Sequence, residues 1–303
     1  MSQSSASNET GANASLSGHF MNVVKSFIGS NYLAIPHVFL LGGIYFGPAG
    51  MSMIAILTGY CCTLLVRVRQ TLRDKGGLPC TTYGQVTSSV MGGSGYAFVE
   101  AALLLTQFGF CVGYMVFMGT ALETLFGVTF WQACLLLSGP LMVVVCVREL
   151  SAFTSCSYIA NFALLVSFVL LIATNIGGIE KHGFSDESSP DLTKLPIFFG
   201  VIIACFEGIG TVLPVEGAMG DLSDVYPKFL WAVMAIMSVL FSLFGILGVG
   251  NYGASVCGII LQNLSGGGES DAIKGCIVVG LFFTYAFQMF PVTEMLGMQC
   301  AVL

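Results

Sequence analysis

Two stretches decide how this chain is read. One is Phe27-Ile28-Gly29-Ser30-Asn31, followed by Pro36; the other is Phe206-Glu207-Gly208-Ile209-Gly210, followed by Pro214. Both run Phe-x-Gly, then a second small or turn-prone residue, then a proline a few positions on. Glycine accepts dihedrals outside the helical well, and asparagine tolerates them better than most residues. A proline inside a helix removes one of its hydrogen bonds. Each stretch therefore predicts a helix that unwinds and restarts. Each also lies inside a long apolar run, where unwound backbone is costly unless it lines a cavity or a ligand supplies the missing partners.

The composition around them fits a membrane. The chain has 303 residues, 55% hydrophobic and only 9% charged, with a mean hydropathy of +0.88. A soluble domain carries about 25% charged residues, so an ordinary cytosolic enzyme and a disordered protein are both excluded. A net charge of −6 and a pI near 4.9 exclude a nucleic-acid binder, which needs a basic face. The apolar runs are long and continuous rather than alternating, which selects spanning helices over barrel strands. Eight runs are predicted, at 20–42, 46–66, 96–121, 129–147, 154–176, 195–219, 227–251 and 275–298. Residues 1–19 are polar and predict a disordered cytoplasmic tail, with neither the basic nor the apolar region of a signal peptide. Residues 20–303 form one all-α transmembrane domain. The eleven cysteines are odd in number and lie mostly in apolar runs, where a free thiol behaves as a small hydrophobe. Three histidines and no CxxC pair give no metal site, and no nucleophile–base pair or phosphate loop suggests an enzyme. Nothing in the sequence fixes the oligomeric state.

Charges orient the spans. With the N-terminus cytoplasmic, Arg67, Arg69, Arg73 and Lys75 of a 67–82 loop fall inside with Arg148 and Lys228, against Lys181, Lys194 and Lys274 outside. This follows the positive-inside rule. The acidic 177–194 loop and the glycosylation sequon Asn263-Leu264-Ser265 are then extracytoplasmic or lumenal.

Interrupted segments at corresponding positions of two halves point to a transporter binding site. First and sixth spans are the positions expected of two five-helix inverted repeats. A half-helix N-terminus in such a gap presents bare N–H groups suited to a carboxylate. Glu207 stands at the centre of its run, and an intramembrane carboxylate is functional by default. Three roles are open to it: proton acceptor, partner of a substrate ammonium, or brace for the unwound backbone. The competing reading is a neutral, hydrogen-bonded structural glutamate. Glu216, Glu294, Glu100 and Lys25 lie nearer the cytoplasmic ends, where they snorkel or pair; Lys25 with one of these acids would make an inner gate. Tyr114 and Thr284 are positioned to offer hydroxyls to substrate or ion, and His37 reads as a satisfied core residue.

At this point the residues resemble a known family. Lys25-Ser26-Phe27-Ile28-Gly29-Ser30-Asn31-Tyr32-Leu33-Ala34-Ile35-Pro36 is similar to the opening signature of the amino acid/auxin permeases. Phe206-Glu207-Gly208-Ile209-Gly210-Thr211-Val212-Leu213-Pro214-Val215-Glu216 resembles their sixth span, closest to the proton-coupled amino acid transporter branch. Tyr83-Gly84, Tyr226-Pro227-Lys228 and Phe283-Thr284-Tyr285-Ala286-Phe287-Gln288-Met289-Phe290-Pro291-Val292 fit the same pattern. The resemblance implies a LeuT-type inverted-repeat fold with broken first and sixth helices. It implies alternating-access transport of small neutral amino acids, with a proton, or alternatively sodium, as coupling ion and no other cofactor. Gly29, Ser30 and Asn31 would receive the substrate carboxylate. Glu207, Gly208, Ile209 and Gly210 would form the facing wall, with Phe206 and Tyr114 also substrate-binding. Glu207, Lys25, Glu294 and Thr284 are the coupling or gating candidates. Asn31 stands where many members carry glycine. Eight spans are present of the family's about eleven, so the chain reads as truncated after the eighth. The alternative function is an amino-acid-binding sensor that completes no transport cycle. The expected location is the plasma membrane or a vacuolar or lysosomal membrane.

Overall fold

The structure is a computed structural model describing residue 16 and residues 18–24, 26–76, 82–145, 150–186, 190–264 and 266–302. The expected tail, apart from residues 16, 18 and 19, lies outside the described residues, as do Lys25 and Arg148. Regular structure among the described residues is entirely helical.

Residues 18–24 and 26–27 are helical, residues 28–30 are not, and a 3₁₀ turn over Asn31–Ala34 leads into α1 (Ile35–Gly42). Next come α2 (Phe46–Gly76), α3 (Tyr83–Phe126), α4 (Phe130–Val145) and α5 (Leu150–His182). The sixth span is two helices, α6 (Leu195–Cys205) and α7 (Ile209–Ala218), followed by α8 (Tyr226–Tyr252) and α9 (Gly268–Val302). Five stretches of the described chain are long and apolar enough to cross a bilayer: Phe46–Asp74, Tyr83–Phe126, Tyr158–His182, Leu195–Ala218 and Leu222–Ser255. Asn31–Gly42 and Phe130–Val145 are shorter apolar helices, and α9 covers the eighth predicted run. The chain is a multi-pass, all-α membrane protein.

Two boundaries differ from expectation. The 67–82 loop is largely absent, because α2 continues to Gly76 and carries Arg67, Arg69, Arg73 and Lys75 on its last turns. Helix α3 begins well before residue 96. Gly92, at φ +74°, breaks it into a short leading helix and the span proper, a conformation that favours glycine. A reciprocal cap starts that short helix: Gln85 N–H donates to Thr82 Oγ1 at 3.2 Å, and Thr82 N–H donates to Gln85 Oε1 at 3.4 Å. Thr129 and Gln132 repeat the device at the start of α4, satisfying N–H groups that a helix start leaves open.

The chain packs as two compact units, each assembled from separate stretches of sequence. The first holds residues up to 28, 49–101 and 202–240; the second holds 29–48, 102–201 and 241 onward. In the first, Gly59 lets Trp231 and Met234 approach α2, and the Ser52 and Ser238 hydroxyls meet at 3.2 Å. In the second, Phe39 lies against the bare backbone of Gly47 and Gly245, and Phe198 against Gly42. Small residues admitting bulky neighbours are how membrane helices pack. Tyr32 lies against the rings of Phe168, Phe241 and Phe244, its hydroxyl 3.2 Å from Ser167 Oγ. His37 Nδ1 is 3.2 Å from the Val256 carbonyl, the satisfied role expected of it. Tyr45, Phe126 and Trp131, exposed at chain reversals, suit the aromatic belt of a membrane surface.

Candidate functional site

The first break begins where Ile28 N–H closes the last helical bond, to Val24 O at 3.2 Å, and ends where Leu33 N–H bonds Ser30 O at 3.1 Å. Ser30 precedes the 3₁₀ turn without a side-chain capping bond. It is 1% exposed and its hydroxyl has no hydrogen-bond partner among the described residues. A methyl group on Gly29 would meet the Tyr114 hydroxyl at 3.5 Å, so Tyr114, itself buried in the second unit, stands over the unwound residues. Thr284, also in that unit, donates its hydroxyl to Gly280 O of its own helix at 2.7 Å, which takes that proton away from any ligand.

The sixth break is closed differently. Phe206 N–H returns to Ile203 O at 3.1 Å, ending α6. Gly208 precedes α7 in a non-helical conformation. The half-buried Glu207 carboxyl lies beside the N–H of Ile209, one of the donors a helix start leaves unpaired. Thr211 donates both its N–H, at 3.0 Å, and its hydroxyl, at 2.8 Å, to Gly208 O.

Within the first unit, the end of the helix before the first break packs on the sixth break. A Cβ on Gly208 would fall 2.6 Å from Ser26 O and 2.7 Å from the Phe27 ring. The last residues before the first break therefore pack on the glycine of the sixth, at a separation only glycine permits. Phe206 is fully buried beside it. Gly29, Ser30 and Asn31 belong to the second unit, and Phe206, Glu207, Gly208, Ile209 and Gly210 to the first. Glu294 lies on α9, with its side chain outside the described residues.

Of the charges expected to snorkel or pair at the helix ends, Glu216 pairs. Glu216 is fully buried, and Arg69 of α2, its side chain 13% exposed, forms an ion pair with it. Gln70 Nε2 adds a bond to the same carboxyl at 3.3 Å. Gly217 leaves space for the guanidinium, whose Nη2 would be 3.0 Å from a Cβ there. Sequence reasoning counted Arg69 as a loop charge. The available signal was helical spacing: Arg69 and Gln70 continue the face of Leu65 and Val66, which are buried, whereas Arg67 and Val68 are exposed. Glu100 is likewise 7% exposed, its carboxyl fitted against Gly84 of the short helix. Lys274, expected outside the spans, is 3% exposed on α9. In the extramembrane turn before α6, Asp191 accepts the Thr193 N–H and hydroxyl at 3.0 and 2.6 Å. These bonds hold its carboxyl below the usual range.

The Asn263 amide is engaged at both ends: Oδ1 accepts from Cys257 N–H at 2.8 Å and Nδ2 donates to Ser255 O at 2.9 Å. The sequon asparagine thus closes its own loop, leaving its nitrogen occupied in the folded chain.

A family model described as "Transmembrane amino acid transporter protein" matches residues 12–302. Two Arabidopsis thaliana proteins, Amino acid transporter ANT1 and Amino acid transporter AVT3A, are 28% and 29% identical to 91% of this chain, covering 65% and 66% of their own lengths. Vacuolar amino acid transporter 3 of Schizosaccharomyces pombe is 24% identical over 93% of this chain and 43% of its own length. The chain thus spans about two thirds of the plant relatives and less than half of the fungal one.

Proposed function

The chain belongs to the transmembrane amino acid transporter family, and on that premise we propose that it carries small neutral amino acids across a membrane by alternating access, coupled to protons. The observation that supports this best is the contact of Phe27 and Ser26 with Gly208, which packs the end of the helix before the first break on the break of the sixth span. Gly29, Ser30 and Asn31 receive the substrate carboxylate, and Tyr114 lies over them. Glu207 takes the coupling proton. As a carboxylate beside the Ile209 N–H, it draws that donor into a charge-assisted bond, about twice as strong as a neutral one. Protonation weakens that bond and loosens the start of α7, linking proton uptake to a helix that moves. The N-terminus is cytoplasmic. The name of the fungal relative favours a vacuolar membrane, where an acidic lumen supplies the proton.

The test is uptake of labelled alanine into proteoliposomes with and without an imposed pH gradient. Wild type shows gradient-stimulated uptake, and Glu207→Gln loses at least tenfold of it while remaining folded. Normal gradient-driven uptake in Glu207→Gln removes Glu207 from coupling. Alanine binding by wild type without any uptake supports the sensor reading instead.

A further inference from the structure

A buried cation needs a counter-charge. Lys274 is 3% exposed on the second turn of α9 and makes no ion pair with a carboxylate among the described residues. Leaving such a charge alone in a membrane protein is expensive. Two unused donors lie close by in the same unit. Ser270, one turn earlier on the same helix face, is 7% exposed with an unpartnered hydroxyl. Asn175 of α5 is 1% exposed: its Oδ1 accepts from Asn251 Nδ2 at 3.2 Å, and its own Nδ2 has no partner.

Register brings the three together. Thr174 Oγ1 donates to Glu269 Oε1 at 3.0 Å, and further along the pair Gly280 packs on Leu164 and Ala160 O. Helices α5 and α9 therefore run antiparallel, with Asn175 level with Ser270. Helical side chains lean toward their own N-terminus, so the lysine stem covers the turn of about 5.4 Å back toward Ser270. The neighbouring acids face the other way: Glu269 and Asp271 are exposed, and Glu269 is bonded to Thr174.

Three donors around one positive charge, with no carboxylate paired to it among the described residues, make a site for a monovalent anion. We infer that Lys274, Ser270 and Asn175 bind one small anion, either chloride or a carboxylate, between α5 and α9. With the N-terminus cytoplasmic, this end of α9 is on the non-cytoplasmic side. The site does not depend on the proposed transport mechanism.

The test is thermal unfolding of the purified full chain in lipid nanodiscs at constant ionic strength, starting in gluconate, which is too bulky for a site between packed helices. Replacing gluconate with chloride or acetate raises the unfolding midpoint saturably. Lys274→Met abolishes the response, and Ser270→Ala raises the half-saturating concentration severalfold. Response to chloride alone identifies a halide site, and response to acetate as well identifies a carboxylate site. No anion response in wild type overturns the inference, as does a response retained unchanged in both variants. If Lys274→Met does not fold, an unchanged half-saturation in Ser270→Ala overturns it.

Discussion

The first break resumes through a 3₁₀ turn behind Ser30, whose buried hydroxyl has no partner among the described residues. The sixth break resumes directly as an α-helix, with the Glu207 carboxyl beside the N–H of Ile209 and Thr211 donating to the carbonyl of Gly208. One break leaves polar capacity open and the other satisfies itself. A buried unsatisfied group costs about 1–3 kcal/mol, so the first break is the one that gains from a ligand. The sixth has a titratable side chain at its restart, and under the proposed function it is the break that responds to a proton. The same contrast recurs between cations: Arg69 is buried with its counter-ion, whereas Lys274 is buried with no carboxylate paired to it among the described residues.

The largest effect is expected where that contrast is broken by charge. Arg69→Gln strands the fully buried Glu216 carboxylate, and losing one partner of a buried pair costs about 3–5 kcal/mol. The unfolding midpoint of the purified protein should drop sharply, and Arg69→Gln combined with Glu216→Gln should recover most of it. A double variant as unstable as the single one would show that the pair is not the cause. Next in size is Gly208→Ala. Its methyl group collides with a backbone carbonyl and the Phe27 ring, and overpacking costs about 1–3 kcal/mol; uptake should fail with it. A fully active Gly208→Ala would mean that the close packing of Ser26 and Phe27 on the sixth break is not needed.

Two smaller substitutions sharpen the comparison itself. Ser30→Ala removes an unpartnered hydroxyl, so stability should hold or rise while alanine affinity falls severalfold. Thr211→Val loses its hydroxyl's bond to Gly208 O, with a net worth of about 0.5–1.5 kcal/mol. Stability should slip, with affinity little changed. Melting curves and equilibrium binding on the same preparations separate the two patterns. Reversed patterns would exchange the roles assigned to the two breaks.

The breaks were legible in the sequence because their causes are local: glycine, asparagine and proline within one or two turns dictate where a helix fails. The brace at Glu207 was among three open roles, and only the position of the Ile209 N–H favours it. The Arg69–Glu216 pair was not legible. Its partners are far apart in sequence, and counting Arg69 as a loop charge assumed that α2 ended with its apolar run. A helix continues past that run whenever its polar residues find partners or water, as α2 does to Gly76. Lys274 was misplaced for the same reason. The caps at Thr82 and Thr129 were written plainly as Thr-x-x-Gln, and reading them would have placed the start of α3 correctly.

The central claim is that the first break takes the substrate and the sixth takes the proton. Hydrogen exchange at backbone amides, followed with and without alanine at two pH values, addresses it directly. The account predicts that alanine protects residues 29–31, and that lowering pH, after correction for intrinsic exchange, deprotects Ile209 at the start of α7. Alanine protection absent from residues 29–31, or an Ile209 amide indifferent to pH, would contradict it.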